Sequence, residues 1–210
     1  MGTNPCCAFF ATRGSNPDWV KQLQQQPDRV QWEKLSASPF SPRPVSDDEV
    51  VCRIAFNPIY WDANTRRLKP TFFDDASNRG ASTERLAYAT KRAVWRKASA
   101  MAALYNKNNP AKHERAAGRL APLPVSELRS LRYEEQRAIG IYDTALEHGK
   151  AHADVCFLIA GKSASRSLRA SLFEISGRHR LWRPPELEVL DSVRESVARI
   201  WKRITRGKKL

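Results

Sequence analysis

The sequence has only four cysteines, Cys6, Cys7, Cys52 and Cys156, and no C-x-x-C pair, a spacing that excludes a structural zinc cluster and a disulfide-stapled miniprotein. Cys52 and Cys156 sit inside the apolar runs 50–54 and 155–159, where a thiol packs as a small hydrophobe. No apolar stretch approaches the roughly 20 residues needed to span a bilayer. The first ten residues, with Pro5 among them, lack the basic start and apolar core of a secretory leader. A cytoplasmic protein without a membrane partner is the expectation. Position 6 is cysteine where a myristoylation motif needs Ser or Thr, which leaves only acylation of Cys6 or Cys7 open.

Acidic residues are the other shortage: 22 Asp and Glu face 36 Lys and Arg in 210 residues, a net charge of +14. The deficit is regional. Residues 1–60 hold six bases and six acids, so the whole excess lies in 61–210. Residues 85–119 carry nine bases and one acid, residues 161–183 six bases and one acid, and the last ten residues five bases and none. Such clusters concentrate positive potential, and a polyanion gains most from meeting them because its condensed counterions are released. Arginine outnumbers lysine 24 to 12, which suits bidentate phosphate contacts and stacking on bases.

Apolar content of 41% is enough for a sizeable core. Residues 1–45 form a Pro-rich lead-in with short helices at 17–26 and 27–35, and a basic α+β domain follows over 46–183. Residues 50–56 form a strand, and 59–61 a second that enters a turn. Ser82 and Thr83 are N-cap residues for a helix running to about Tyr105, with an apolar stripe through Leu86, Val94, Met101 and Leu104 and a basic face of Arg85, Lys91, Arg92 and Arg96. Residues 106–118 are a loop and 124–132 a short helix. Strands at 138–142 and 153–160 precede a helix over 166–175, and residues 184–210 form an amphipathic basic helix. The expected fold is a small mixed or antiparallel sheet, from residues near 50, 70, 139 and 157, packed by two or three helices.

Gly161-Lys162-Ser163 lies between a strand and a helix, the context of a phosphate loop. The first glycine of that motif would fall on Cys156, so a nucleotide triphosphatase is excluded, while Lys162, Ser163, Arg166 and Arg169 can still hold a backbone phosphate. His152 and Asp154 share one face of a strand. With Asp143 from a neighbouring strand they form the best enzymatic group, a small metal-dependent nuclease or phosphodiester hydrolase. The acidic runs Asp47-Asp48-Glu49 and Asp74-Asp75 fit helix starts or charged turns better than Mg²⁺ sites. Tyr60, Trp61, Phe72 and Phe73 sit among Arg66, Arg67 and Lys69, and aromatics among cations are what single-stranded bases stack on. Trp61, beside a turn, is the one expected to be exposed.

The residues favour a non-enzymatic RNA- or DNA-binding subunit of a larger nucleoprotein assembly. Its phosphate contacts would come from Arg66, Arg67, Arg85, Lys91, Arg92, Arg96, Lys162, Ser163, Arg166 and Arg169, with Trp61 for stacking. No cofactor or metal is required by any motif. The alternatives are the hydrolase built on His152, Asp154 and Asp143, and an adaptor for an acidic protein partner, with the C-terminal helix docking in a partner's groove.

Overall fold

The β-branched run at residues 50–56 shows no clean alternation because it forms a strand covered on both faces. The computed structural model describes residues 4–183, and the amphipathic segment expected at 184–210 lies outside the described residues. In chain order the elements are α1 (Pro5–Ala11), α2 (Trp19–Gln24), β1 (Val50–Asn57), β2 (Trp61–Asp62), β3 (Arg67–Leu68), β4 (Ala81–Arg85) and α3 (Lys91–Asn108). They continue with β5 (Ala116–Pro124), α4 (Val125–Ser130), β6 (Arg132–Tyr133), β7 (Gln136–Arg137), β8 (Ile139–Tyr142), β9 (His152–Phe157) and α5 (Lys162–Arg178). The main sheet is five-stranded in the order β5-β1-β4-β9-β8, and every pairing is antiparallel. The α+β class and the antiparallel sheet expected from the sequence are present.

One face of the sheet carries Val51, Ala81, Val155, Phe157 and Ile141, which pack against Phe72 and Phe73 of the 3₁₀ segment Pro70–Ser77, Leu128 of α4, and Leu168 and Leu172 of α5. The opposite face is covered in two places. Over β1 and β5, Cys52 and Leu120 meet Val94 and Trp95 of α3. Over β8 and β9, Tyr142 and Cys156 meet Cys6, Phe10, Trp19, Leu23 and Trp32 of the N-terminal segment. The lead-in is thus tightly packed, and its aromatics fill the second cluster. Burial pushes the Cys6 and Cys52 thiols up to about 12 and raises Cys156 well above its ordinary value; Cys52 and Cys156 are core groups, as their apolar runs implied, and Cys6, read as an acylation candidate, is buried with them.

Three local expectations are corrected. Ser82 and Thr83 lie in β4, not at a helix start, because pairing of β4 with β1 and β9 outweighs their local cap preference. The cap of α3 is Thr90, whose side chain accepts from the Ala93 N–H at 3.2 Å. The buried face of α3 is therefore Val94, Trp95, Ala98 and Ala102, while Met101 and Leu104 are exposed. Residues near 70 are a 3₁₀ segment outside the sheet, and its edge place is taken by β5. Pro122 and Pro124, which donate no ladder hydrogen bond, hide β5 from a sequence reading yet are tolerated because the strand lies at an edge.

Arg85, expected on an exposed helical face, is fully buried. Its Nε donates to Glu49 Oε2 at 2.8 Å and its Nη2 to Glu49 Oε1 at 2.6 Å, while Nη1 donates to the Arg43 carbonyl at 2.8 Å and lies 2.9 Å from Asp143 Oδ2. The Pro44 carbonyl accepts from Nη2 at 3.3 Å. Burial raises the Glu49 carboxyl, but hydrogen bonds from Arg85 and Ser46 outweigh it and hold Glu49 below its ordinary value. At Asp143 burial wins over Ser41 and Arg85, and the carboxyl is raised.

Arg85→Met should lower stability by about 3–5 kcal/mol at pH 7 because it leaves buried Asp143 without a cation and buried Glu49 with only the more distant, exposed Arg43 at 3.8 Å. In the parent, the depressed Glu49 contributes stability above the ordinary carboxylate range that is lost as pH falls through its folded value; the raised Asp143 works in the opposite sense. In the variant both carboxylates gain from protonation, so its deficit should shrink between pH 7 and about pH 4 in urea unfolding.

Candidate nucleic-acid interface

The bases that the sequence singles out fall into two groups, and the sheet separates the two helices that carry them. The first group lies along the β5 edge and the start of α3. Lys91, Arg92 and Arg96 are exposed on the first turns of α3, and the Lys91 ammonium sits 3.9 Å from the centre of the Trp182 ring. Trp182 exchanges both backbone hydrogen bonds with Leu120 of β5, at 2.9 and 3.1 Å, so the start of α3 is tied to the edge strand. Arg66 and Arg67 are exposed at the tight β2–β3 connection, where Arg66 has φ 56°.

Between these two stands Arg119, whose guanidinium lies 4.4 Å from the centre of the Trp61 ring and donates to the Gly118 carbonyl at 2.7 Å. Burial, followed by the charges of Arg183 and Arg66, holds the Arg119 guanidinium below its ordinary value. A half-buried cation crowded by two others is a place where anion binding relieves repulsion. Trp61 itself is buried, which corrects the expectation of an exposed stacking ring. The seat depends on a glycine: a Cβ at Gly118 would stand 2.7 Å from the Ala55 carbonyl oxygen and 2.8 Å from Trp61 Cβ. Trp61 therefore presents Arg119, not its own face, to solvent. The sequence counts Arg115 and Arg119 among the bases of its cluster, but nothing local signals that Tyr105 and Trp61 carry them.

The second group surrounds the start of α5. Lys162, Arg166 and Arg169 line a cavity of about 730 Å³ together with Lys21 and Gln24 of α2 and Asn78. Gly161, at φ 111°, opens α5 without a side-chain cap, so first-turn amides are left for an outside acceptor. Ser163 is exposed and receives a long 3.4 Å hydrogen bond from the Tyr133 hydroxyl. Arg169 is ion-paired with Asp74, and Arg53 with Asp75 at 2.7 Å, so the acidic pair serves arginines at a turn.

The enzymatic group is divided. His152 and Asp154 share a sheet face with Ser82, as their spacing implies. Asp143 points to the other face, against buried Arg85 and Ser41. Asp154 is itself committed: its Oδ2 is paired with Arg13 and accepts from the Thr144 hydroxyl at 2.8 Å, and its Oδ1 accepts from Ser82 at 3.3 Å. Because the Thr144 proton goes to Asp154, His152 Nδ1 must be the donor to Thr144 Oγ1 and the Thr144 carbonyl, at 2.9 and 3.1 Å. His152 Nε2 then lies 3.9 Å from Asp154 Oδ1. Among the described residues no group of three or more His, Cys, Asp or Glu is placed to hold a metal ion, and no helix is long and apolar enough to cross a membrane.

No family model matches the chain, and neither a curated protein nor a solved structure does.

Asp154 joins the N-terminal segment to the sheet through Arg13, so its replacement should act on folding. Asp154→Ala is expected to cost about 3 kcal/mol and to lower Tm by roughly 6–12 °C. A purely chemical role would leave the melting curve unmoved.

Proposed function

We propose that the protein binds RNA or DNA through phosphate contacts from its basic edge, as a non-catalytic subunit of a larger nucleoprotein assembly. One observation carries the reading. Of the thirteen Lys and Arg from Arg66 to Arg119, only Arg85 and Lys97 ion-pair with an acid among the described residues. In the same span Asp74, Asp75 and Glu84 are each engaged by a basic side chain, leaving Glu114 as the one acid without such a partner. The excess charge of this span is thus left without ion pairs among the described residues. A polyanion is the ligand whose binding that arrangement favours most.

Phosphate contacts are sequence-tolerant and displace condensed counterions, so affinity should fall linearly with salt on logarithmic axes. Arg92 and Arg96 lie one turn apart on the exposed side of α3, where one backbone can meet both. Neutralising them together, as Arg92→Gln with Arg96→Gln, should lower the slope of that plot by about two with little change in Tm. A parent slope near zero would instead favour an adaptor that meets an acidic protein.

A further inference from the structure

We propose that the cavity at the C-terminal end of α3 receives an unstacked base of a single-stranded nucleic acid. The inference rests on the nucleic-acid reading and adds which part of the basic edge meets bases. The cavity has a volume of about 560 Å³ and is lined by Pro58, Ile59, Tyr105, Lys112, His113 and Arg115. Sites for small flat molecules fall in the range of about 300–1,000 Å³. Its half-buried lining is Pro58, Ile59, Tyr105 and Arg115, and its exposed lining includes the cation Lys112 and His113. The Arg115 guanidinium carbon stands over Tyr105, 3.3 Å from the ring centre.

That distribution matches a nucleotide within a strand. A base offers two apolar faces to aliphatic and aromatic walls or to a guanidinium plane, and its flanking phosphates are anionic and wet. An acidic peptide would gain little from Pro58, Ile59 and a Tyr105 ring already carrying a cation. A duplex could not deliver a base without first unstacking it.

The walls are fixed before any ligand arrives. The Asn106 side chain clamps the Arg115 backbone in both directions, donating to its carbonyl at 2.9 Å and accepting from its N–H at 2.8 Å. The Asn109 side chain donates to the Tyr105 carbonyl at 2.9 Å, and the Asn109 carbonyl accepts from the Lys112 N–H at 3.0 Å. The polar run expected to be a loop is therefore tied to the end of α3, which reduces the ordering cost of binding. Arg115 also leads directly into β5, so a strand leaving the cavity runs toward Arg119.

The test compares oligothymidylate and oligouridylate with an abasic strand of equal length, by fluorescence anisotropy on the full chain. A base that stacks should make at least one natural strand bind about fivefold or more tighter than the abasic one. Whichever sugar shows the preference identifies the source of the base. Tyr105→Ala should bring that ratio close to one. If Tyr105→Ala lowers Tm, Ala111→Leu, which fills the cavity from an exposed lining position, serves in its place with the same expected loss. A parent that binds both kinds of strand equally overturns the base site and leaves the backbone reading standing. A parent that binds neither overturns both. Free uridine or thymidine monophosphate should compete only weakly; competition as tight as that of the strand would assign the cavity to a mononucleotide and overturn the proposal.

Discussion

Everything else in this molecule is built around a guanidinium with no access to water. Arg85 is fully buried at the end of β4, and Glu49, Asp143 and the carbonyls of Arg43 and Pro44 use its donors. Such a group does not stabilise a protein more than well-packed apolar residues would, but it cannot lose a partner without leaving a buried charge. Arg85 thereby fixes where the chain around residues 43–49 must lie, and with it the entry into β1. The same device recurs. Arg53 is held by Asp75 and the Phe72 carbonyl, Glu33 lies between Arg129 and Arg137, and Arg13 closes the N-terminal segment onto Asp154.

These interior pairs account for the electrostatic character of the outside. The chain has few acids, and many of them are engaged where arginines are buried or half-buried. Apart from Lys97, which pairs with Glu84, the bases on α3, on the β2–β3 connection and along β5 make no ion pair among the described residues. The scarcity of acid is therefore a composition statistic in the sequence and, in the folded chain, a set of exposed bases without ion pairs among the described residues. The proposed nucleic-acid binding rests on those bases more than on any motif, and the aromatic seats under Lys91, Arg115 and Arg119 hold some of the cations in fixed positions.

The fold was legible in the sequence wherever burial on both faces produced an unbroken apolar run, as at β1, β8 and β9, and wherever a strand led into a Gly-started helix, as at α5. It was not legible where tertiary pairing overrides local preference. Ser82 and Thr83 carry cap chemistry and lie in a central strand. Pro122 and Pro124 argue against a strand and occupy its permitted edge. For the candidate site, Lys91, Arg92, Arg96, Arg66 and Lys162 could be read as exposed bases from charge alone. The burial of Arg85 could not, because its partners Glu49 and Asp143 are far away in the chain. The role of Trp61 was hidden for the same reason, since the stacking plane it supports belongs to Arg119. Pairing of His152 with Asp154 was visible in the alternation of a strand, but the alternation also sends Asp143 to the opposite face.

The claim on which the account depends is that the uncompensated basic edge holds nucleic acid. Purification at low ionic strength, with the ratio of absorbance at 260 nm to that at 280 nm followed before and after nuclease treatment, addresses it most directly. The account predicts an elevated ratio that falls on nuclease or high-salt treatment, and renewed binding when a strand is added back. A protein that elutes free of nucleic acid at low salt and leaves an added strand unbound would contradict it.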